Sequence, residues 1–162
     1  MRATRLGLSD NTRKTSVETL QALLVDTIDL RLAVKQAHWT VRGPRFQQLH
    51  ELFDTFVAPL DAEVDSMAER IATLGALPDG RAQGVSASSR LDAYPEDAGD
   101  GNAHLTALAD RFAALGNSVR SGIDVANDAG DADTADLLTG TSRFLDQTLW
   151  FLEAHLAEDA GS

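Results

Sequence analysis

Two histidines and a run of carboxylates are where this chain could do chemistry. His38 and His50, two of its four histidines, lie twelve positions apart in KQAHWTVRGPRFQQLHELFD, residues 35–54. A Gly43-Pro44 break separates them, and Trp39 follows the first. Beyond His50 come Asp54, Asp61, Asp65 and Glu69, at steps of 4, 7, 4 and 4 that keep them on or near one helix face. Imidazole with carboxylate is the donor set of iron, manganese and zinc. A single acidic residue on a helix is ordinarily solvated surface. The paired imidazoles lift this stripe above that reading.

Spacing limits what one chain can assemble. His50 and Asp65 are fifteen residues apart on one helix, roughly 22 Å at 1.5 Å per residue, too far to share an ion. His38 and His50 flank a tight turn and can approach each other, while Asp65 and Glu69 are neighbours one helical turn apart. Each chain therefore offers an imidazole half-site and a carboxylate half-site at opposite ends of a helix. A two-fold dimer with antiparallel copies of that helix would place the imidazoles of one chain on the carboxylates of its mate, giving two equivalent sites.

The elements that must position these groups are helices. Val17, Leu20, Leu24, Ile28, Leu32 and Trp39 recur at helical spacing, and Thr15 to Glu18 has a capping-box pattern, which predicts a first helix from about Ser16 to Val41. A second follows Pro44 and runs to Gly75, carried by Leu49, Phe53, Phe56, Leu60, Met67 and Ile71, with Pro59 set to kink it. Residues 75–101 are rich in Gly, Pro, Ser and Asp and read as a long connection with a short helix near Ser86–Leu91. A third helix spans about Asn102 to Asn127, and a fourth starts near Asp133. Two short connections and one long one predict an all-α, ferritin-like four-helix bundle with a crossover between the second and third helices. The expected organisation is a flexible basic arm over 1–15, the bundle over 16–158 and a short tail over 159–162.

Composition narrows the partners. The chain has 162 residues, no cysteine and a formal charge of −11, which excludes thiolate chemistry and argues against a general nucleic-acid binder. The same charge attracts cations. No apolar run approaches a membrane span, and the N-terminus has no secretory h-region, so the expectation is a cytoplasmic protein with no membrane partner. Arg2, Arg5, Arg13 and Lys14 make the first residues basic, while Asp124 to Asp136 is strongly acidic. An EF-hand is rejected there, because Gly at the sixth and Glu at the twelfth position are missing. Helix caps and turns account for some of these aspartates. His104 and His155 lack partners at ligand spacing and read as structural or surface, and Trp150 reads as bundle core.

HW-x-V-x-G-x-x-F-x-x-L-H at His38–His50, followed by D-x-x-A-E-R at Asp65–Arg70, resembles the Dps family of mini-ferritins, the DNA-binding proteins from starved cells. The likeness extends to AYP before the third helix, GD-x-x-TAD at Gly130–Asp136 and LWFLEAHL near the end. No Glu-x-x-His motif occurs, which disfavours the longer ferritins. The resemblance implies a homododecamer with 23 symmetry, built from two-fold dimers, whose intersubunit centres oxidise Fe(II) with hydrogen peroxide and store ferric mineral. It implies iron (Fe2+/Fe3+) on His38 and His50 of one chain and Asp65 and Glu69 of its mate. Asp54 is then a further ligand or a partner of one, and Trp39 a neighbouring radical quencher. It makes Asp128, Asp131 and Asp136 candidates for lining three-fold pores that admit iron. In several members a basic tail binds DNA, so Arg2, Arg5, Arg13 and Lys14 stand as a candidate DNA arm and the nucleoid as an alternative location. An architectural DNA-compacting protein is the second reading of the whole chain.

Overall fold

A capping serine sets where the chain first becomes helical. In a computed structural model describing residues 1–157, Ser9 is the N-cap of α1 (Asp10–Thr40), its Oγ accepting from the Thr12 N–H at 3.1 Å. The helix thus begins six residues before Ser16. The capping-box pattern at Thr15–Glu18 is overridden, because Ser9 offers an equivalent cap earlier and Ser16 lies buried inside the helix. The expected tail over 159–162, and the last residue of the expected bundle, lie outside the described residues.

The expected second helix is two segments, α2 (Phe46–Thr55) and α3 (Val57–Thr73), joined at Phe56. Pro59 has no N–H to offer Thr55, and its ring crowds that carbonyl, so the break falls one turn before the proline. The connection carries a short α4 (Ala82–Ser88), slightly earlier than expected. Asp100 caps α5 (Gly101–Asp128), accepting from the Ala103 N–H at 2.9 Å. Then α6 (Ala132–Ala157) completes a bundle in which α1 packs on α3 and α5, and α6 packs on α5 and α3. Leu20, Leu24, Phe53, Leu60, Met67, Ile71, Phe112, Leu115, Leu138, Leu145 and Leu152 fill its core.

Two arginines tie the N-terminus to the end of α3. The Arg2 backbone N–H donates to Gly75 O at 2.7 Å and its guanidinium to Ala72 O at 3.0 Å. Arg13 donates to Leu74 O at 3.1 Å and to Arg2 O at 3.3 Å. These bonds satisfy carbonyls that a helix C-terminus leaves open. Gly75, at φ +95°, permits the approach, since a Cβ there would stand 2.8 Å from Arg2 O. Arg13 is buried, so its expected place in a free basic arm is corrected: it is a structural residue of α1. Trp150 is also corrected. It is 61% exposed, two residues from Thr148 and Leu152, which take the buried face of α6.

Candidate metal centre

The turn between α1 and α2 folds His38 and His50 face to face. Gly43, at φ +107°, lets residues 41–45 reverse direction in so few residues. The two rings stack with centroids 3.7 Å apart and planes 20° from parallel. Each imidazole bonds the other residue's backbone: His38 Nδ1–H donates to His50 O at 2.7 Å, and His50 Nδ1–H donates to His38 O at 2.8 Å. A carbonyl has no proton to give, so both rings carry their proton on Nδ1. Both Nε2 lone pairs are left for a metal. This reciprocal clamp holds the ring planes and the tautomer before any ion binds.

Asp54 stands one helical turn beyond His50, with Oδ1 4.0 Å from His38 Nδ1. Its nearest cation is Lys35, whose Nζ lies 2.9 Å from the same oxygen. The Lys35 hydrogen bond, with smaller contributions from the Lys35 charge and the two histidines, holds the Asp54 carboxyl below the usual aspartate value. Lys35 also lies 5.7 Å from the Trp39 ring centroid, and Trp39 is 65% exposed beside the pair. Lys35 escaped the sequence reading. Its position three residues before His38 and four before Trp39, on the same helix, was the available signal.

Asp65 and Glu69 are exposed on α3. Among the described residues neither carboxylate takes a hydrogen bond or ion pair, whereas nearby Asp61 is paired with Arg31 at 3.0 Å. No three His, Asp or Glu side chains of the described residues come together as a metal-binding group within one chain. The fold stacks His38 on His50 and leaves Asp54 beside them on Lys35, short of a three-ligand group, with Asp65 and Glu69 as a separate pair.

The acidic turn before α6 divides into three outward groups and one inward. Asp128, Asp133 and Asp136 are exposed. Asp131 is buried as the N-cap of α6: Oδ1 accepts from the Thr134 N–H at 3.1 Å and Oδ2 from the Thr134 hydroxyl at 2.7 Å. Arg70 reaches it from α3 at 2.6 Å. Burial alone would raise the Asp131 pKa; the Thr134 hydrogen bonds and the Arg70 charge outweigh it, and the carboxyl sits below its ordinary value. Its expectation as a pore residue is therefore corrected, because the carboxylate faces the protein. Arg5 and Lys14 are exposed at the basic end, Lys14 lying 3.8 Å from Glu18.

His104 is fully buried beneath the turn, with Tyr94 on one side and Thr40 on the other. His155 is half-buried, its Nδ1–H donating to Phe151 O at 2.7 Å. Both have structural surroundings rather than ligands, as their spacing implied.

A ferritin-like domain model matches residues 17–161. The "DNA protection during starvation protein" of Agrobacterium fabrum is 44% identical over 155 residues, 96% of each chain. Among solved structures, Dps from Mycobacterium smegmatis superposes with a TM-score of 0.92 at 34% identity, covering 96% of this chain and 94% of the other. A Dps protein from Vibrio cholerae O1, described as a member of a broad superfamily of ferritin-like diiron-carboxylate proteins, gives a TM-score of 0.89 at 27% identity, covering 96% and 98%. The stacked histidines, the outward carboxylates one helix away and these likenesses converge: the chain belongs to the Dps family, on the ferritin-like fold.

Proposed function

We propose that this protein is a ferroxidase and iron store that consumes hydrogen peroxide while it sequesters iron. The observation that carries the reading is the His38–His50 clamp, which presents two Nε2 lone pairs in fixed planes and lacks the further donors that an iron site needs. In this reading Asp65 and Glu69 of a second copy supply them. Asp54 serves as a further ligand when Lys35 yields it. The centre lies between chains in a homododecamer of 23 symmetry assembled from two-fold dimers.

Fe(II) is the substrate and fits the donors. Neutral imidazole and carboxylate suit a divalent first-row cation, and so few protein ligands leave positions open for water or peroxide. Each of two ferrous ions gives one electron to one peroxide, so the peroxide is reduced without release of hydroxyl radical. Few carboxylates make one iron position tight and the second weak. Asp128 and Asp136, exposed on either side of the α5–α6 turn, focus cations toward pores through the shell when repeated around an axis. Ferric mineral then grows on an acidic inner surface. The location is cytoplasmic, a reading compatible with the lack of any helix among the described residues that could cross a membrane.

The alternative, an architectural DNA-compacting protein, draws on the names of the relatives. Against it, Arg13 is buried and the exposed Arg2 is tied to the end of α3, which leaves Arg5 and Lys14 as the members of the four-residue basic set not engaged there. Anaerobic Fe(II) titration followed by peroxide tests the main reading. Tight binding and rapid oxidation are expected for the wild type, with both lost in Asp65→Ala. Equal binding by the two proteins would remove Asp65 from the centre and defeat the reading.

A further inference from the structure

Tyr94 and His104 form a hydrogen-bonded pair directly behind the turn that carries the two histidines. Tyr94 Oη lies 2.6 Å from His104 Nδ1, and the two rings are 14° from parallel. On the other side, His104 Nε2 lies 3.4 Å from Thr40 Oγ1. The proton inventory then fixes every direction. The Thr40 hydroxyl donates its one proton to Gln36 O at 2.6 Å, so it can only accept from His104. His104 therefore carries its proton on Nε2, and Nδ1 is a bare lone pair accepting from the Tyr94 hydroxyl. Burial, working against the nearby Asp100 charge, holds His104 below the ordinary histidine pKa and keeps this neutral form. Burial likewise pushes the Tyr94 phenol well above its ordinary value, so it does not ionise in the resting protein.

This is the arrangement that oxidation of a tyrosine requires. A phenol that loses an electron becomes a strong acid, and an aligned base lets electron and proton leave together. Here an uncoupled loss is additionally disfavoured, because the Arg111 cation sits 4.9 Å from the Tyr94 ring centroid. Arg111 also fixes the Tyr94 loop by donating to Asp92 O at 2.8 Å and to Ala93 O. The pair is close to the candidate centre on two sides. Thr40 follows Trp39, and the His104 ring meets Phe53, the neighbour of Asp54, edge-on at 6.4 Å. Trp39 and Thr40 line one cleft together with Glu96 and Asp97, just beyond Tyr94 in the chain.

We propose that Tyr94 and His104 are a redox relay that takes up one-electron oxidants escaping the iron centre. A hydroxyl radical from one-electron reduction of peroxide, or the indolyl radical of Trp39 it produces, takes an electron from Tyr94 and ends as hydroxide or, with a proton from solvent at the exposed indole, as intact Trp39. The Tyr94 proton passes to His104 Nδ1, leaving a neutral phenoxyl radical beside an imidazolium. A further Fe(II) returns the electron, becoming Fe(III), and the proton returns from His104. The source of the oxidant rests on the iron-oxidising reading above; the relay chemistry does not.

The chain has a single tyrosine, so any tyrosyl signal is Tyr94. The test uses the full-length protein in two arms. In an iron-free arm, azide radical made by pulse radiolysis oxidises tryptophan. The expected result is transfer to a tyrosyl radical whose high-field EPR spectrum shows a hydrogen-bonded neutral species with an exchangeable proton. In Tyr94→Phe the indolyl radical should persist severalfold longer. A tyrosyl spectrum without a hydrogen bond, or indolyl decay unchanged by Tyr94→Phe, overturns the proposal. The wild-type spectrum decides even if the variant does not fold. In the second arm, Fe(II) and peroxide are freeze-quenched. The same tyrosyl signal is expected, and its absence in protein that oxidises iron overturns the relay's part in the reaction. Failure to oxidise iron while the iron-free arm gives the signal defeats the proposed function and leaves the relay standing.

Discussion

The two halves of the proposed centre are prepared to different degrees. At the α1–α2 turn the imidazoles are stacked, their tautomers set by backbone carbonyls and their planes held at both ends of the clamp. On α3, Asp65 and Glu69 stand in solvent and, among the described residues, take no bond that fixes them. Imidazole has two nitrogens and needs a partner on one to direct the other. A carboxylate on a rigid helix needs only its place on the helix, and a cation draws it into line. Under the proposed function, the contrast makes the rigid imidazole pair the anchor and the carboxylates the adaptable half.

That contrast can be broken most severely at the anchor. His50→Ala removes a ligand, the ring stack and one carbonyl bond together. Loss of a supporting bond alone weakens metal binding by roughly 10–100-fold, so removing the ligand should exceed that, read by anaerobic Fe(II) titration. Next comes the scaffold beneath the carboxylates. Asp131→Ala leaves Arg70 without its buried partner and α6 without its cap, and should cost about 3 kcal/mol in urea unfolding. The same residue gives a pH test with a definite sign. Its pKa is lower when folded, so its stabilisation is complete above the ordinary aspartate value near 3.8 and is lost as the pH falls through the lowered one. The variant should therefore lose the part of the acid transition that lies in that window.

Smaller effects sharpen the picture. Gly75→Ala puts a side chain at φ +95° against Arg2 O and should cost about 1–2 kcal/mol by the same unfolding assay. Smallest is Lys35→Gln. With no ammonium on Asp54, the weaker of the two iron positions should fill severalfold more readily in calorimetry, the tight one remaining unchanged.

Much of this was legible in the residues because its signals are local or periodic. The His–turn–His spacing and the apolar stripes gave the helices, the bundle and the paired imidazoles. The start of α1 was not legible, because Ser9 and Thr15 both offer caps and tertiary contacts choose between them. Arg13 and Trp150 were misread for different reasons: α1 starts six residues earlier than expected and takes Arg13 into its buried face, while Trp150 lies about 200° around α6 from the buried Thr148 and Leu152. Asp131 looked like its neighbours in composition, but its pairing with Arg70 joins residues 61 positions apart. His104 gave no sign of its partners, because Tyr94 and Thr40 reach it from the crossover and from α1.

Complementation between two inactive chains tests the division of the centre most directly. His50→Ala and Asp65→Ala chains, each inactive alone, would be mixed, unfolded and reassembled, and peroxide-driven Fe(II) oxidation measured. If imidazoles and acids come from different copies, each mixed dimer holds one intact site, and random pairing restores about a quarter of the wild-type sites. A correctly assembled mixture as inactive as its parents would show that a single chain owns the whole centre, contradicting the account.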